Sequence, residues 1–473
     1  MKYLPRTAIL FLMTILTLLL TIGCGTPASP QNSNTSIPGG TPAVQDPNQK
    51  RIVTVGVYAA SHMRNTDAWL QAMQITLQSQ NPNVLLKIER FDPQAGDVYL
   101  DNVAQNFALS LMAGKAPDVM IFSPSLLNNP PQAMQQGYFE DLTPWLDQNP
   151  DFHIEDFYAP IIANGVVDEK RFLLPLSFFY QPMFTTKEIA NRIGYSPEKP
   201  LSLTTWMDLA IKNRKEQYAP LLFTKLWVYP QHRYPSFRFM LTNGYPNPCD
   251  PFAKQADFDT PQFRESLAFL QELAENQGNY YADNNNMTAP DSFSKHGGVV
   301  FDIFTGMRAI PWEAAEYFFQ YCPDQEITPM NYPVMPGDSG DIGFIDLVMA
   351  VNSNCKDKET AAAVCVAMVD KETQCNTMLE TEMSAPNRYF PQLPVNRQSM
   401  IDYCQKTQLP NIFPRGFKQQ YLECLDRIQR GVFEDSKLFE LINKEITRYF
   451  EGVITQDELV EKLNQKVNLY LKE

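Results

Sequence analysis

The stretch DVYLDNVAQNFALSLMAGKAPDVMIF, residues 97–122, decides the fold of this chain because a helix, a stop and a strand follow one another in it. Gly114 is a residue type that ends helices, and Pro117 precedes VMIF, a short apolar run typical of a buried strand. The apolar residues of the helical part recur at a spacing that puts them on one face: Leu100, Val103, Ala104, Phe107 and Leu111.

The residues before this stretch complete a repeating pattern. RIVTVGVY predicts a strand over 52–58, DAWLQAMQITLQSQ predicts a helix, and VLLKIERF predicts a second strand. The order β-α-β-α-β calls for a parallel sheet with right-handed crossovers, which is the α/β class.

Parallel sheets bind ligands beyond the carboxyl ends of their strands. Two loops are predicted there, 59–65 after the first strand and 123–129 after the third. Their short polar side chains are therefore candidate ligand contacts, with an ordinary surface loop as the alternative: Ser61, His62, Asn65, Ser123 and Ser125.

The N-terminus predicts an export signal followed by a lipid anchor. Lys2 and Arg6 precede an apolar run over 8–20, and Thr21-Ile22-Gly23-Cys24 resembles the bacterial lipobox, with Thr21 where Leu is usual. We expect a signal peptide over 1–23 and an acylated Cys24, for which palmitate is a typical acyl group, with a chance cysteine beside a signal peptidase site as the alternative. Residues 24–50, rich in Pro, Gly, Ser, Thr and Asn, predict a flexible linker. The expected location is the extracytoplasmic face of the cell membrane.

The length of the chain bears on the number of lobes, and its net charge limits the kinds of molecule that it binds. With 473 residues the chain is long enough for two lobes. Its net charge of −14 argues against nucleic acid and anionic lipid surfaces as partners. No later apolar run is long enough to span a bilayer, so we expect contact with the membrane through the lipid anchor only.

Seven cysteines follow Cys24, an odd number that leaves at least one unpaired. The spacing of Cys355, Cys365 and Cys375 matches no zinc pattern. We therefore expect mostly reduced, structural thiols and at most one disulfide bridge.

Two later regions give further expectations. FLLPLSFFYQPMFTTKEI, residues 172–189, is apolar and aromatic without helical period, which is typical of an extended segment that passes between lobes. The last sixty residues are expected to be helical and amphipathic, most clearly in YLECLDRIQRGVF and LVEKLNQKVNLYL.

Eight segments, in order, resemble the family 1 extracellular solute-binding proteins, the lipid-anchored receptors of ATP-binding-cassette importers, often for sugars. They are LMAGKAPDVMIF, GYFEDLTPWL, RFLLPLSFFYQPMFTTKEI, LTTWMDL, DTPQFRESLAFLQEL, FTGMRAIPW, GFIDLVMAVNSN and YFPQLPVNRQ, within residues 52 to about 400. One departure is Phe184-Thr185, where the family usually has Tyr-Asn.

The resemblance implies a two-lobe, periplasmic-binding-protein-like fold, in which each lobe is a mostly parallel sheet flanked by helices. Crossover hinge strands join the lobes, which close on a solute. Carried over, lobe 1 would comprise 52–172 plus 308–342, and lobe 2 would comprise 173–307 plus 343–473. It also implies a monomer that delivers a small solute, an oligosaccharide, to the permease subunits of the importer.

The same resemblance adds candidate contacts for a sugar, which needs aromatic platforms and short polar groups. Trp312 and Glu313 follow a predicted crossover, with core packing of Trp312 as the alternative. Phe179 and Tyr180 lie on the first hinge strand, with packing between lobes as the alternative. The remaining candidates are Trp227 and Tyr229 in an aromatic loop, and Asp346, which would accept sugar hydroxyls unless it is a cap or solvated.

Signs of an enzyme are poor. The sequence has no G-x-S-x-G, G-x-x-x-x-G-K-[ST] or H-E-x-x-H motif, and its four histidines are scattered. We expect no catalytic residue, metal or cofactor. Two alternatives stay open: the same fold with a polyamine or other organic solute, and a lipid-anchored surface glycan hydrolase with paired carboxylates about 5 to 10 Å apart.

Overall fold

The computed structural model describes the chain from residue 50 to residue 472, with gaps. The described residues are 50–58, 66–91, 98–180, 183–196, 205, 248–250, 253–265, 267–268, 271, 301–302, 326–330, 341–384, 393–407, 416–433 and 435–472, all within the unit Lys50–Glu473. In these ranges no helix combines the length and the apolar character that crossing a membrane requires.

Among the described residues, strands and helices alternate in the N-terminal part of the chain, and helices dominate the C-terminal part. The strands are β1 (Arg51–Tyr58), β2 (Val84–Arg90), β3 (Val119–Phe122), β4 (Val166–Val167), β5 (Lys170–Arg171), β6 (Leu174–Phe179), β7 (Met183–Thr186), β8 (Cys249–Asp250), β9 (Gln255–Ala256), β10 (Phe301–Asp302), β11 (Ile327–Met330), β12 (Asp341–Val351), β13 (Leu393–Pro394) and β14 (Ile428–Phe433). The helices are α1 (Thr66–Gln80), α2 (Val98–Met112), α3 (Pro130–Gln135), α4 (Thr143–Asp147), α5 (Ala159–Ile162), α6 (Lys187–Ile193), α7 (Lys358–Val369), α8 (Lys371–Ser384), α9 (Arg397–Lys406), α10 (Phe417–Asp426), α11 (Ser436–Phe450) and α12 (Gln456–Lys472).

The N-terminal β-α-β-α-β pattern is confirmed. β1 pairs in parallel with β2 on one side and with β3 on the other. The face of α2 that the sequence predicts is buried at Val103, Phe107 and Leu111, and the ring of Phe107 packs edge-on against Tyr58 of β1. The helical spacing of the apolar residues therefore predicted the buried face of α2 correctly.

β12 is the central strand of the seven-stranded sheet, whose order is β13-β6-β12-β3-β1-β2, with β14 also beside β12. All eleven of its residues are buried. Its C-terminal half pairs antiparallel with β3, and its N-terminal half pairs in parallel with β14. Its opposite edge pairs with β6. The sheet is mixed, and the α/β class is confirmed.

A second, three-stranded sheet has the order β10-β7-β11. Among the described strands, β6 of the first sheet is followed in the chain by β7 of the second, and β11 of the second is followed by β12 of the first. Within 172–189, the expected extended structure is confirmed at 174–179 and 183–186, whereas α6 begins at Lys187 and residues 181–182 lie outside the described ranges. That these residues join two lobes remains a prediction.

The predicted lobe boundaries differ from the observed sheets at five strands. Lobe 2 was predicted to include 174–179, 343–351, 393–394 and 428–433, yet these residues form strands of the sheet that contains β1 and β3. Lobe 1 was predicted to include 327–330, yet these residues form β11, which pairs with β7 in the second sheet. The chain therefore changes sheets after β6 and before β12. The reason is physical: β12 is long enough to pair along both edges, and it draws its partner β6 into the same sheet. The division of the other ranges remains a prediction.

One helix prediction is wrong. YLECLDRIQRGVF begins as α10, but helix α10 ends at Asp426 and residues 428–433 form β14. Pairing with β12 satisfies the backbone of β14, and Gly431 permits the close approach, because a Cβ there would lie 2.5 Å from the carbonyl oxygen of Pro160.

The described cysteines agree with the prediction of reduced, structural thiols, since all six are buried and in no disulfide: Cys249, Cys355, Cys365, Cys375, Cys404 and Cys424. Burial raises the pKa of Cys365, in the middle of α7, to about 12, so this thiol stays protonated at neutral pH. Cys322 lies outside the described residues.

A buried carboxylate joins the two C-terminal helices. Glu445 of α11 has no exposed side-chain surface and accepts hydrogen bonds from Lys466 of α12 and from Arg448, at 2.9 Å for the latter. Burial opposes the ionised form of Glu445, but the bonds and charges of Lys466 and Arg448 outweigh burial and lower its pKa.

We predict that Glu445→Gln lowers the free energy of unfolding by about 1–3 kcal/mol near neutral pH, because two cations lose their buried partner. A carboxylate with a lowered pKa stabilises the fold above its unfolded pKa, and that contribution disappears as pH falls through the folded value. The difference in the free energy of unfolding between the wild type and Glu445→Gln should therefore shrink below pH ~4.3. Urea unfolding at pH values from neutral to below this value measures the difference, with the exposed Glu440→Gln as control. An equal deficit in both variants would contradict the prediction.

Candidate ligand-binding site

A hydroxyl-bearing turn lies at the carboxyl end of β3. Residues Pro124–Leu126 form a 3-10 turn, and Ser123 caps it by accepting a hydrogen bond from the N–H of Ser125 at 3.4 Å. The two hydroxyl oxygens, Ser123 Oγ and Ser125 Oγ, are 2.8 Å apart. Both side chains are half-buried. They therefore form a small polar surface that begins where the strand ends.

Asp346 lies beside this turn. Val348 of β12 is level with Phe122, the last residue of β3, and the strands are antiparallel, so Asp346 extends past the end of β3. The turn packs against β12. Asp346 falls between the residues of β12 that pair with β14 and those that pair with β3, at a register shift against β6. Its side chain is 8% exposed. The structure thus brings three predicted residues to one end of the sheet.

A stacked aromatic pair lies further along β12. Phe179, at the end of β6, is half-buried and stacks on Phe344 with ring centroids 5.2 Å apart and an interplanar angle of 14°. The two residues face each other in the β6–β12 register. Phe344 was not predicted. β12 is buried along its whole length, and a continuous apolar run gives no alternation that would single out one face.

Tyr180 lies in a different environment from Phe179. It is 1% exposed, and its hydroxyl donates a short hydrogen bond to Asp341, the first residue of β12. The guanidinium of Arg427 approaches the same carboxylate at 3.6 Å and donates to the sulfur of Cys424 at 3.1 Å. We call Tyr180, Asp341, Cys424 and Arg427 the junction cluster. Tyr180 is therefore buried and hydrogen-bonded inside this cluster, and its contact with a ligand remains a prediction.

The junction cluster gathers the chain segments that lead to the second sheet. Tyr180 follows β6, Asp341 begins β12, and Cys424 and Arg427 lie at the boundary between α10 and β14. α10 also reaches the second sheet, because Gln420 donates to the carbonyl of Ile327 in β11 at 3.0 Å. Burial, followed by the negative charge of Asp341, raises the pKa of Tyr180 well above its usual range, so its hydroxyl keeps its proton.

The other predicted site residues cannot be placed. Those outside the described ranges are Cys24, Ser61, His62, Asn65, Trp227, Tyr229, Trp312 and Glu313. Within the described ranges, no three side chains among His, Cys, Asp and Glu are arranged to hold a metal ion.

Comparison with solved structures identifies the fold. An extracellular solute-binding protein family 1 member from Alicyclobacillus acidocaldarius aligns with 90% of this chain and 100% of its own, at 12% identity and a TM-score of 0.59. This chain has the fold of the family 1 extracellular solute-binding proteins. Neither a protein-family model nor a curated protein matches it.

Two further solved structures, one of a binding protein and one of a designed enzyme, share this fold. The cyclic alpha-maltosyl-1,6-maltose binding protein of Arthrobacter globiformis aligns with 89% of the chain and 99% of its own, at 17% identity and a TM-score of 0.57. A de novo designed cysteine esterase, ECH19, aligns with 90% of the chain and 98% of its own, at 15% identity and a TM-score of 0.56. The two-lobe fold of binding proteins is thus confirmed, and the fold by itself does not exclude catalysis.

We predict that Tyr180→Phe lowers the free energy of unfolding by about 1–3 kcal/mol, because it leaves the buried Asp341 carboxylate without its hydroxyl donor. Thermal and urea unfolding measure the change. Tyr138→Phe is the matched control, because Tyr138 is half-buried and lies outside the junction cluster. If both substitutions had the same small effect, the junction cluster would not stabilise the fold.

Proposed function

We propose that this chain is the solute-binding lipoprotein of an ATP-binding-cassette importer, which captures an oligosaccharide and delivers it to the permease. The observation that carries the proposal is the grouping of Ser123, Ser125 and Asp346 at the carboxyl ends of the first sheet. Segments that lead to a second sheet leave from the same end, at the close of β6 and the start of β12. A solute there would lie where two sheets can close on it.

The side chains at this end suit a sugar. A carboxylate such as Asp346 accepts hydrogen bonds from two adjacent hydroxyls, and serine hydroxyls both donate and accept. An aromatic ring such as the half-buried Phe179 offers a surface for the apolar face of a pyranose. A polyamine would instead require several carboxylates around an aromatic surface. The described part of the site contains one carboxylate, Asp346, and this favours a sugar over a polyamine.

Delivery to a permease and anchoring to the membrane belong to the same proposal. The lipobox-like Thr21-Ile22-Gly23-Cys24 supports acylation of Cys24, and the Pro-, Gly- and Ser-rich composition of residues 25–50 predicts a tether of roughly 30 Å. A tethered monomer remains near the importer while its solute-binding unit reorients. The chain would act as a receptor and leave its solute chemically unchanged.

A ligand panel tests the substrate class. We expect an oligosaccharide to raise the melting temperature of the full chain, while spermidine, putrescine and free amino acids do not, because binding to the native state alone stabilises it. A shift with polyamines only would refute the sugar assignment. Chromatography of the incubated sugars tests for hydrolysis, and the appearance of shorter products would show that the chain is an enzyme.

For the sugar that binds, Asp346→Asn should weaken affinity about 10- to 100-fold, because an ionised acceptor of sugar hydroxyls is lost. Isothermal titration calorimetry measures the dissociation constant. The exposed Asp151→Asn is the matched control and should bind as the wild type does. Unchanged affinity of the Asp346 variant would remove this residue from the site.

Cys24→Ser should abolish lipidation and release the protein from the membrane fraction, because the acyl chains are its anchor. Labelling with radioactive palmitate and partition into detergent measure both effects in bacterial cells. Ser29→Ala, in the same linker, should leave labelling unchanged. Label retained by the Cys24 variant would contradict acylation at this residue.

A further inference from the structure

The loop that carries Ser123 and Ser125 ends at a strained residue. Asn129 has φ 48° and ψ 73°, in the left-handed region, and is followed by Pro130. Asparagine tolerates this region better than most residues, but a following proline restricts the backbone further. The side chain is 4% exposed, and its Oδ1 has no hydrogen-bond partner among the described residues. Such a conformation persists only where surrounding contacts enforce it.

The contacts that enforce it come from the end of the chain. The backbone N–H of Asn129 donates to the hydroxyl of Tyr470 at 2.8 Å. Its side-chain Nδ2 donates to the carbonyl of Leu471 at 3.3 Å and to Gln132 at 3.0 Å. Both Tyr470 and Leu471 belong to the last turn of α12. Two of these three donated bonds connect the loop to a helix more than 300 residues away, and the carbonyl of Asn129 accepts a fourth bond from the N–H of Ala133 at 3.0 Å.

The hydroxyl of Tyr470 is itself held in place. It has a single proton, which it donates to the carboxylate of Asp435, with both oxygens at 3.0 Å. Asp435 also caps α11, because it accepts the N–H of Leu438 at 2.9 Å. Burial, followed by the charge of Asp435, raises the pKa of Tyr470, so the hydroxyl remains a donor. Its lone pairs are then available to Asn129.

α12 is anchored away from the first sheet. Asn464 and Asn468 accept the backbone N–H groups of Phe258 at 2.7 Å and of Ala256, in β9, at 2.9 Å. Asp457 pairs with Arg264 at 2.8 Å. These partners lie between β7 and β10 in the chain. The bond from Tyr470 thus connects the loop after β3 to a helix that is also bound to residues 256–264.

We propose that Tyr470 is a positioning residue for the binding loop: its hydroxyl holds Asn129 in the left-handed conformation and thereby fixes the turn that presents Ser123 and Ser125. The turn has two fixed ends, Phe122 paired in β3 and Asn129 held by α12, with only six residues between them. Releasing one end increases the conformational freedom that a ligand must remove. This inference rests on the proposed function for the ligand, while the positioning itself does not.

Hydrogen exchange tests the positioning without any ligand. In the full chain, Tyr470→Phe removes only the hydroxyl, and we expect the amides of Ser123 and of residues 125–129 to exchange about tenfold faster, with β12 unchanged. Tyr449→Phe on α11 is the matched control, because Tyr449 donates to Gln271 at 3.3 Å on an exposed surface. Faster exchange throughout the molecule would reveal a merely structural role, and unchanged exchange in the loop would overturn the proposal.

Binding tests the consequence. For the oligosaccharide that gives the largest melting shift in the panel, Tyr470→Phe should raise the dissociation constant about 5- to 30-fold, and Tyr449→Phe should leave it unchanged. An unchanged constant with faster loop exchange would show that Tyr470 does not set affinity. If no member of the panel binds, the proposed sugar function fails, and the exchange experiment still decides the positioning.

Discussion

The strand β12 imposes the constraint on which the rest of the structure depends. Its eleven residues are all buried, and a buried strand must find hydrogen-bond partners along both edges. At roughly 3.3 Å per residue it is about 36 Å long. β3 has only four residues and can satisfy only part of one edge, so β14 satisfies the remainder of that edge. Asp346 lies where these two partners meet. The candidate site is therefore a consequence of unequal strand lengths.

The sequence predicted the parts of the fold that depend on local pattern. The spacing of Phe107 and Leu111 predicts one buried face of a helix, and RIVTVGVY predicts a strand. Both predictions succeed because the pattern of apolar residues within a short segment shows which of them are buried. The sequence-based prediction failed at β14, because IQRGVF has no strand pattern of its own. This segment becomes a strand because it pairs with the N-terminal half of β12, some ninety residues earlier in the chain. Pairings of this kind are tertiary, and propensity yields to them.

The candidate site residues also divide into those that a local pattern predicts and those that depend on contacts between distant segments. Ser123 and Ser125 could be predicted from the rule that ligands bind at the carboxyl ends of parallel strands, and Asp346 from family resemblance. Phe179 and Tyr180 are neighbours, and alternation along a strand sends them to opposite faces. The sequence does not say which face meets solvent, so it proposed both, and only Phe179 retains an exposed part. Phe344 and Tyr470 required the coordinates, since each acts through a partner distant in the sequence.

If the chain closes on a solute as we propose, the junction cluster would limit how the two sheets move relative to each other. Separating Tyr180 from Asp341 would leave a buried carboxylate without its donor, at a cost of about 1–3 kcal/mol. A ligand of micromolar affinity supplies about 8 kcal/mol in total, so breaking this bond would consume a large share of its binding free energy. Closure that keeps the bond intact loses none of it. Tyr180 and Asp341 therefore belong with the first sheet, and the proposed closure would leave their bond intact.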